Sequence, residues 1–115
     1  MNYTSVVALL LDWVPEFAAR ARRWDDLPFV VLGNFGLFIR ELLQEVSKND
    51  ELLRRCFRFV ELMVESKDER VVNLAAVGVL ELLVDEETDR AITMEFLGEA
   101  ARALATEVIA SWPTA

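Results

Sequence analysis

The sequence predicts an all-α fold in a single domain covering residues 1–115, and three observations carry that expectation. Apolar residues make up 54% of the chain, so burial can offset the entropy of ordering it. Only 4 Gly and 3 Pro are present, too little turn material for a many-stranded sandwich. The apolar residues also recur at steps of three and four, which places them on one face of a helix.

About five helices follow in order. The first runs from Thr4 to Arg23, and Pro15 either kinks it or opens a second helix, since proline fits a first turn and breaks an interior. Asp25-Asp26-Leu27-Pro28 then interrupts the chain. The second runs from Phe29 to Val46 with Leu32, Phe35, Gly36, Ile39, Leu43 and Val46 on one face. The third, Asp50 to Glu65, is capped by Ser47 or Asn49 and turns Leu53, Cys56, Phe57, Val60, Met63 and Val64 inward. Ser66 or Asp68 caps the fourth, Glu69 to Val84. It is apolar on nearly every side and therefore belongs in the middle of a bundle. Gly78 weakens this helix by about 1 kcal/mol relative to alanine, and close approach of a neighbouring helix would offset that. The fifth, Asp89 to Ala110, carries Met94, Leu97, Ala101, Leu104 and Val108 as its stripe.

An echo recurs along these helices. Glu41-Leu42-Leu43-Gln44-Glu45 returns as Glu61-Leu62-Met63-Val64-Glu65 and as Glu81-Leu82-Leu83-Val84-Asp85. Ser47-Lys48-Asn49-Asp50-Glu51 is likewise echoed by Ser66-Lys67-Asp68-Glu69. A helix and a turn per echo give helical hairpins of HEAT-like size in an up-down arrangement with the fourth helix central.

Composition excludes several functions. There is no His, which removes the commonest general base and metal ligand and every His-dependent triad. No phosphate-binding or nucleophile-elbow motif occurs, and Asp85-Glu86-Glu87-Thr88-Asp89 lacks the glycine and ligand spacing of a calcium loop. No catalytic residue, cofactor or metal site is therefore expected. An enzyme working through carboxylates alone is a distant alternative. The single Cys56 cannot close an intrachain disulfide and reads as a buried structural thiol. Asn34 and Asn73 read as structural, and Trp24 and Trp112 as lids on the core. The first residues carry no basic stretch before their apolar run, and Phe29 to Ile39 is too short to span a bilayer. A soluble cytoplasmic protein is expected.

Charge is distributed unevenly. Residues 1–58 carry eight acids and eight bases, whereas residues 59–115 carry twelve acids against Lys67, Arg70, Arg90 and Arg102, which accounts for the whole net charge of −8. Such a field repels nucleic acid and anionic lipid and attracts basic partners. Several acids fall in last turns, where the helix dipole disfavours them. In an up-down bundle, the ends of the second and fourth helices meet the starts of the third and fifth. A partner-binding surface is expected there, formed by Glu45, Glu81, Asp85, Glu86, Glu87 and Asp89, with Glu95 and Glu99 along the flank.

Five strings together suggest a family. They are Val14-Pro15-Glu16-Phe17, the run from Gly33 to Phe38, the run from Phe57 to Met63, the run from Val72 to Glu81, and Phe96-Leu97-Gly98 with a late Trp112. With them the chain resembles small acidic all-α bacterial proteins of the kind that serve as immunity proteins in polymorphic toxin systems. The resemblance implies a cytoplasmic antidote that binds and occludes one cognate toxin. The acidic excess matches a toxin with a basic surface. The alternative is a HEAT-like adaptor or scaffold that binds a helical or basic peptide.

Overall fold

A computed structural model describes residues 1–21 and 27–112, and these are all-α, with no strand among them. The expected break at Asp25-Asp26, and Trp24 with it, lie outside the described residues. The radius of gyration, 13.2 Å, is close to the roughly 13 Å expected of one domain of this length.

Among the described residues seven helices form where five were expected, because two of the expected segments divide. Pro15 does not kink a long first helix. It opens a new one, so that α1 is Val6–Trp13 and α2 is Pro15–Ala21, with Val14 out of helical geometry between them (φ −128°, ψ 75°). Next come α3, Pro28–Leu42, a single 3₁₀ turn, Leu43–Glu45, and α4, Val46–Val64. The chain then winds continuously through residues 69–85 as α5. Its middle, Leu74–Leu80, is a π-helical stretch between the α-helical turns Glu69–Asn73 and Glu81–Asp85. The expected fifth helix breaks at Leu97-Gly98, where both residues are extended, into α6, Glu87–Phe96, and α7, Glu99–Ala110.

The caps differ from expectation at one helix and match it at another. Neither Ser47 nor Asn49 starts α4. Both lie inside it, and the Asn49 amide instead donates to Leu42 O at the end of α3 (3.1 Å). The run Ser47 to Glu51 is thus helical, while its echo from Ser66 leads into α5, so the two are not equivalent. Asp68 does cap α5, accepting from Arg70 N at 3.0 Å, and its second oxygen accepts from Tyr3 N at 2.8 Å, which fastens the start of the chain to this helix.

α5 is the most buried element, as its composition requires. Val71, Leu74, Ala75, Gly78, Val79, Leu80, Leu83 and Val84 are all buried, and it packs against α3, α4, α6 and α7. Val77 is the exception on its outer side. The tightest approach is to α3. A Cβ placed on Gly78 would lie 3.1 Å from Leu32 Cβ, and one on Gly36 would lie 3.2 Å from Gly78 O. Gly78 therefore has the close neighbour it was expected to need, and Gly36 is the facing half of the same contact. Leu32 meets Gly78, Gly36 meets Val79, and Arg40 reaches Leu82, so α3 and α5 run in the same direction.

The core continues through stacked aromatics. Phe17 on α2 lies 5.3 Å from Phe35 and 5.4 Å from Phe38 on α3, and Phe35 meets Phe59 of α4 edge-on at 6.2 Å. Such pairs add about 0.5–1.5 kcal/mol each beyond the area they bury. α1 runs antiparallel to α4: Trp13 lies beside Arg55 and Phe59, while Met1 O accepts from the Ser66 hydroxyl at 2.7 Å.

Candidate partner-binding surfaces

The ends of α3 and α5 share one pole with the start of α6, as expected, and arginines build the junction there. Arg40, near the end of α3, donates to Leu82 O and sits 3.3 Å from the Asp89 carboxylate, with the two side chains 27% and 14% exposed. Arg90 donates to Val84 O at 2.8 Å and lays its guanidinium over the Trp112 ring at 5.6 Å. Both cations thus reach carbonyls that the helix end leaves unbonded. Glu87 and Asp89 occupy the first turn of α6, where the dipole favours acids. The acids here are consequently less misplaced than helix position alone suggests.

The expected site residues sort into three groups. Asp85, Glu86 and Glu87 are exposed at the tight turn between α5 and α6 and make no ion pair among the described residues; Glu81 lies one turn back, half-buried. Asp89 belongs to the Arg40 bridge, and Glu45, at the start of α4, pairs with Lys48 at 3.6 Å. Glu95 and Glu99 lie farther along, on α6 and at the start of α7. About 9 Å of helix separates Glu95 from Asp89. Glu95 lines a separate hollow with Arg54, Phe57, Arg58, Glu61, Phe96 and Gly98, and Glu99 opens the next helix beside it.

A different acid holds that second region together. Glu61 on α4 points its carboxylate at the start of α7, accepting from Ala101 N at 2.6 Å and from Ala100 N at 3.1 Å. Arg102 closes the other side of the break, donating to Met94 O and Leu97 O at the end of α6. An anion at a helix start and a cation at a helix end both complement the dipole.

A second surface lies between α1 and α4 and was not foreseen. Met1, Leu9, Trp13 and Leu62, each 37–39% exposed, line a groove of about 640 Å³ with Phe59 in its floor and Glu65, Ser66 and Lys67 at one end. Trp13 is fixed there: its indole N–H donates to Arg55 O at 3.0 Å, and its ring tilts against Phe59 at 6.2 Å. Beyond Trp13, which borders both, lies a second hollow formed by Glu51, Arg54, Arg55 and Arg58. Arg55 is held by Glu16 through two bonds, 2.7 and 3.0 Å, and this contact holds the Glu16 carboxyl below the usual carboxylate range. The signal in the sequence was Leu9 and Trp13, four apart and both off the stripe of Val6, Leu10 and Val14 that faces the core.

Cys56 is fully buried, and burial pushes its thiol up to about 12, so it stays protonated near neutral pH. Among the described residues, no group of three or more His, Cys, Asp or Glu could hold a metal ion, and no helix is long and apolar enough to cross a membrane.

Fold and surfaces together define an all-α domain that carries an acidic corner and an apolar groove among its surface features. Residues 7–112 match the family described as Domain of unknown function (DUF7674), and the chain belongs to that family. No curated protein and no solved structure matches it.

Proposed function

We propose that this domain is a non-catalytic, cytoplasmic immunity-type protein that binds a cognate toxin with a basic surface and occludes it. The observation that supports this most is the turn at Asp85, Glu86 and Glu87. Three neighbouring carboxylates project into solvent without an ion pair among the described residues, on a turn held from both sides by Arg40 and Arg90. Held charges of one sign steer an oppositely charged partner into register and speed association. The resemblance described above supplies the class of partner.

The test is rescue. The product of the gene directly upstream is expressed in a bacterial host, where it is expected to arrest growth, and this chain is expected to restore it. Reversing Asp85, Glu86 and Glu87 to Lys should abolish rescue and weaken binding by about tenfold or more without lowering the melting temperature. Asp89 is left alone in that variant because its bridge to Arg40 is structural. Rescue by the triple variant at wild-type efficiency would remove the acidic corner from the mechanism. An upstream product without toxicity would remove the immunity reading.

The second reading, an adaptor for a helical segment, is favoured by the groove between α1 and α4.

A further inference from the structure

We infer that the α1–α4 groove is a docking site for one amphipathic α-helix of a partner protein, seated on Leu9, Trp13 and Leu62 with a carboxylate of that helix over Arg58. The inference deepens the adaptor reading and does not depend on the acidic corner.

The shape of the groove selects the occupant. Leu9, Trp13, Phe59 and Leu62 lie on helices, and Met1 and the turn at Glu65, Ser66 and Lys67 close one end; with no sheet edge among the described residues, the groove has no ladder of backbone groups to offer an extended peptide. A strand laid on Met1, Leu9, Phe59 and Leu62 would bury its own N–H and C=O groups against carbon. A helix satisfies those groups internally and presents only side chains. Along α4 and its C-cap, Leu62 and Glu65 line the groove and Glu51, Arg55 and Arg58 line the hollow beyond Trp13; together they form one stripe at steps of three and four, about 21 Å long. That length accommodates about four turns of a partner helix.

Charge sets the partner's pattern. Arg54 is taken by Asp50 at 2.8 Å and Arg55 by Glu16. Glu65 and Lys67 carry opposite charges at one end. Arg58, exposed in the middle of the stripe, has no ion pair or hydrogen bond among the described residues. An acidic residue within the partner's apolar stripe would complement it. Trp13, whose indole N–H donates to Arg55 O, is already oriented in the groove and supplies an aromatic anchor.

The experiment is selection of a phage-displayed library of helical peptides against the full chain. Enriched peptides should carry apolar residues at i, i+3 or i+4, and i+7, with Asp or Glu at one fixed place among them. Leu62→Lys, an exposed change, should weaken the enriched peptides by about tenfold or more while the melting temperature holds. Selection against Arg58→Glu should replace the acid at that place with Lys or Arg. Peptides without that spacing, binding indifferent to Leu62→Lys, or no change of preference with Arg58→Glu would each overturn the proposal. So would sedimentation showing that the chain pairs with itself through Leu62, which would make a second copy the occupant.

Discussion

The Glu61 carboxylate occupies the space that a side chain at position 98 would need: a Cβ on Gly98 would lie 2.5 Å from Glu61 Oε2. The acid from α4 caps α7 because the residue before that helix has no side chain. Gly98→Ala should push the carboxylate away and cost about 0.5–2 kcal/mol, the worth of a helix cap. Glu61→Ala should cost a similar amount. The two losses should not add, because in the Glu61→Ala background the alanine at 98 has nothing left to displace. Urea melts of the four proteins measure this. Full additivity would show that the two residues act separately.

Three glycines of the α3–α5 pair should respond differently to the same substitution. An added Cβ at Gly33 meets nothing within 4 Å, so Gly33→Ala should stabilise by about 0.5–1 kcal/mol through helix propensity. At Gly36 the same carbon would meet Leu82 Cδ2 at 2.9 Å and Gly78 O at 3.2 Å. Backbone cannot step aside as a side chain can, so Gly36→Ala should destabilise by about 1–3 kcal/mol. Gly78→Ala falls between them in sign and size. Thermal melts that gave Gly33→Ala the largest loss would contradict this packing.

Stability and binding should separate at the α5–α6 turn. Asp89→Asn weakens the Arg40 bridge and should lower stability by about 1 kcal/mol, whereas Asp85→Asn, Glu86→Asn and Glu87→Asn should each stay within about 0.5 kcal/mol of wild type. Chemical denaturation of the four single variants checks the split.

Acid should loosen the N-terminal part of the fold. Glu16 is held below its ordinary range first by its hydrogen bond from Arg55, and Asp68 first by the Tyr3 amide. A depressed carboxylate contributes stability above its unfolded value, and that contribution is lost as pH falls through the folded one. Stability should therefore be flat from neutral pH to about pH 5 and decline below about pH 4. Glu16→Gln should make that decline shallower, which fluorescence-monitored urea melts across the acid range would reveal.

The fold was more legible than the surfaces. Helical spacing placed α5 closely and found α3 and α4, but it ran α3 four residues too far: Val46, expected on its face, is the first residue of α4. The near-uniform apolarity of α5 announced its burial. Cys56 and Gly78 were readable because their environments follow from the helix they sit on. The cap that Glu61 provides was not, since it joins residues about forty positions apart and resembles any exposed acid in a local pattern. The division at Leu97-Gly98 was hidden for the same reason: the apolar stripe runs on across the break. Gly36 appeared as one member of a face rather than as the partner of Gly78. Charge counting located the acidic half of the chain, yet it could not tell Asp89, bound to Arg40, from Glu87, which faces water.

The parallel course of α3 and α5 constrains how the chain reaches its native state. Arg40 and Leu82 are 42 positions apart, so the two helices cannot zip up as a hairpin. Closing the glycine contact joins residues on either side of α4, and that closure costs a loop entropy that local helix formation escapes. The Gly36–Gly78 seam should then be among the last parts of the core to consolidate, and its substitutions should quicken unfolding more than they slow folding.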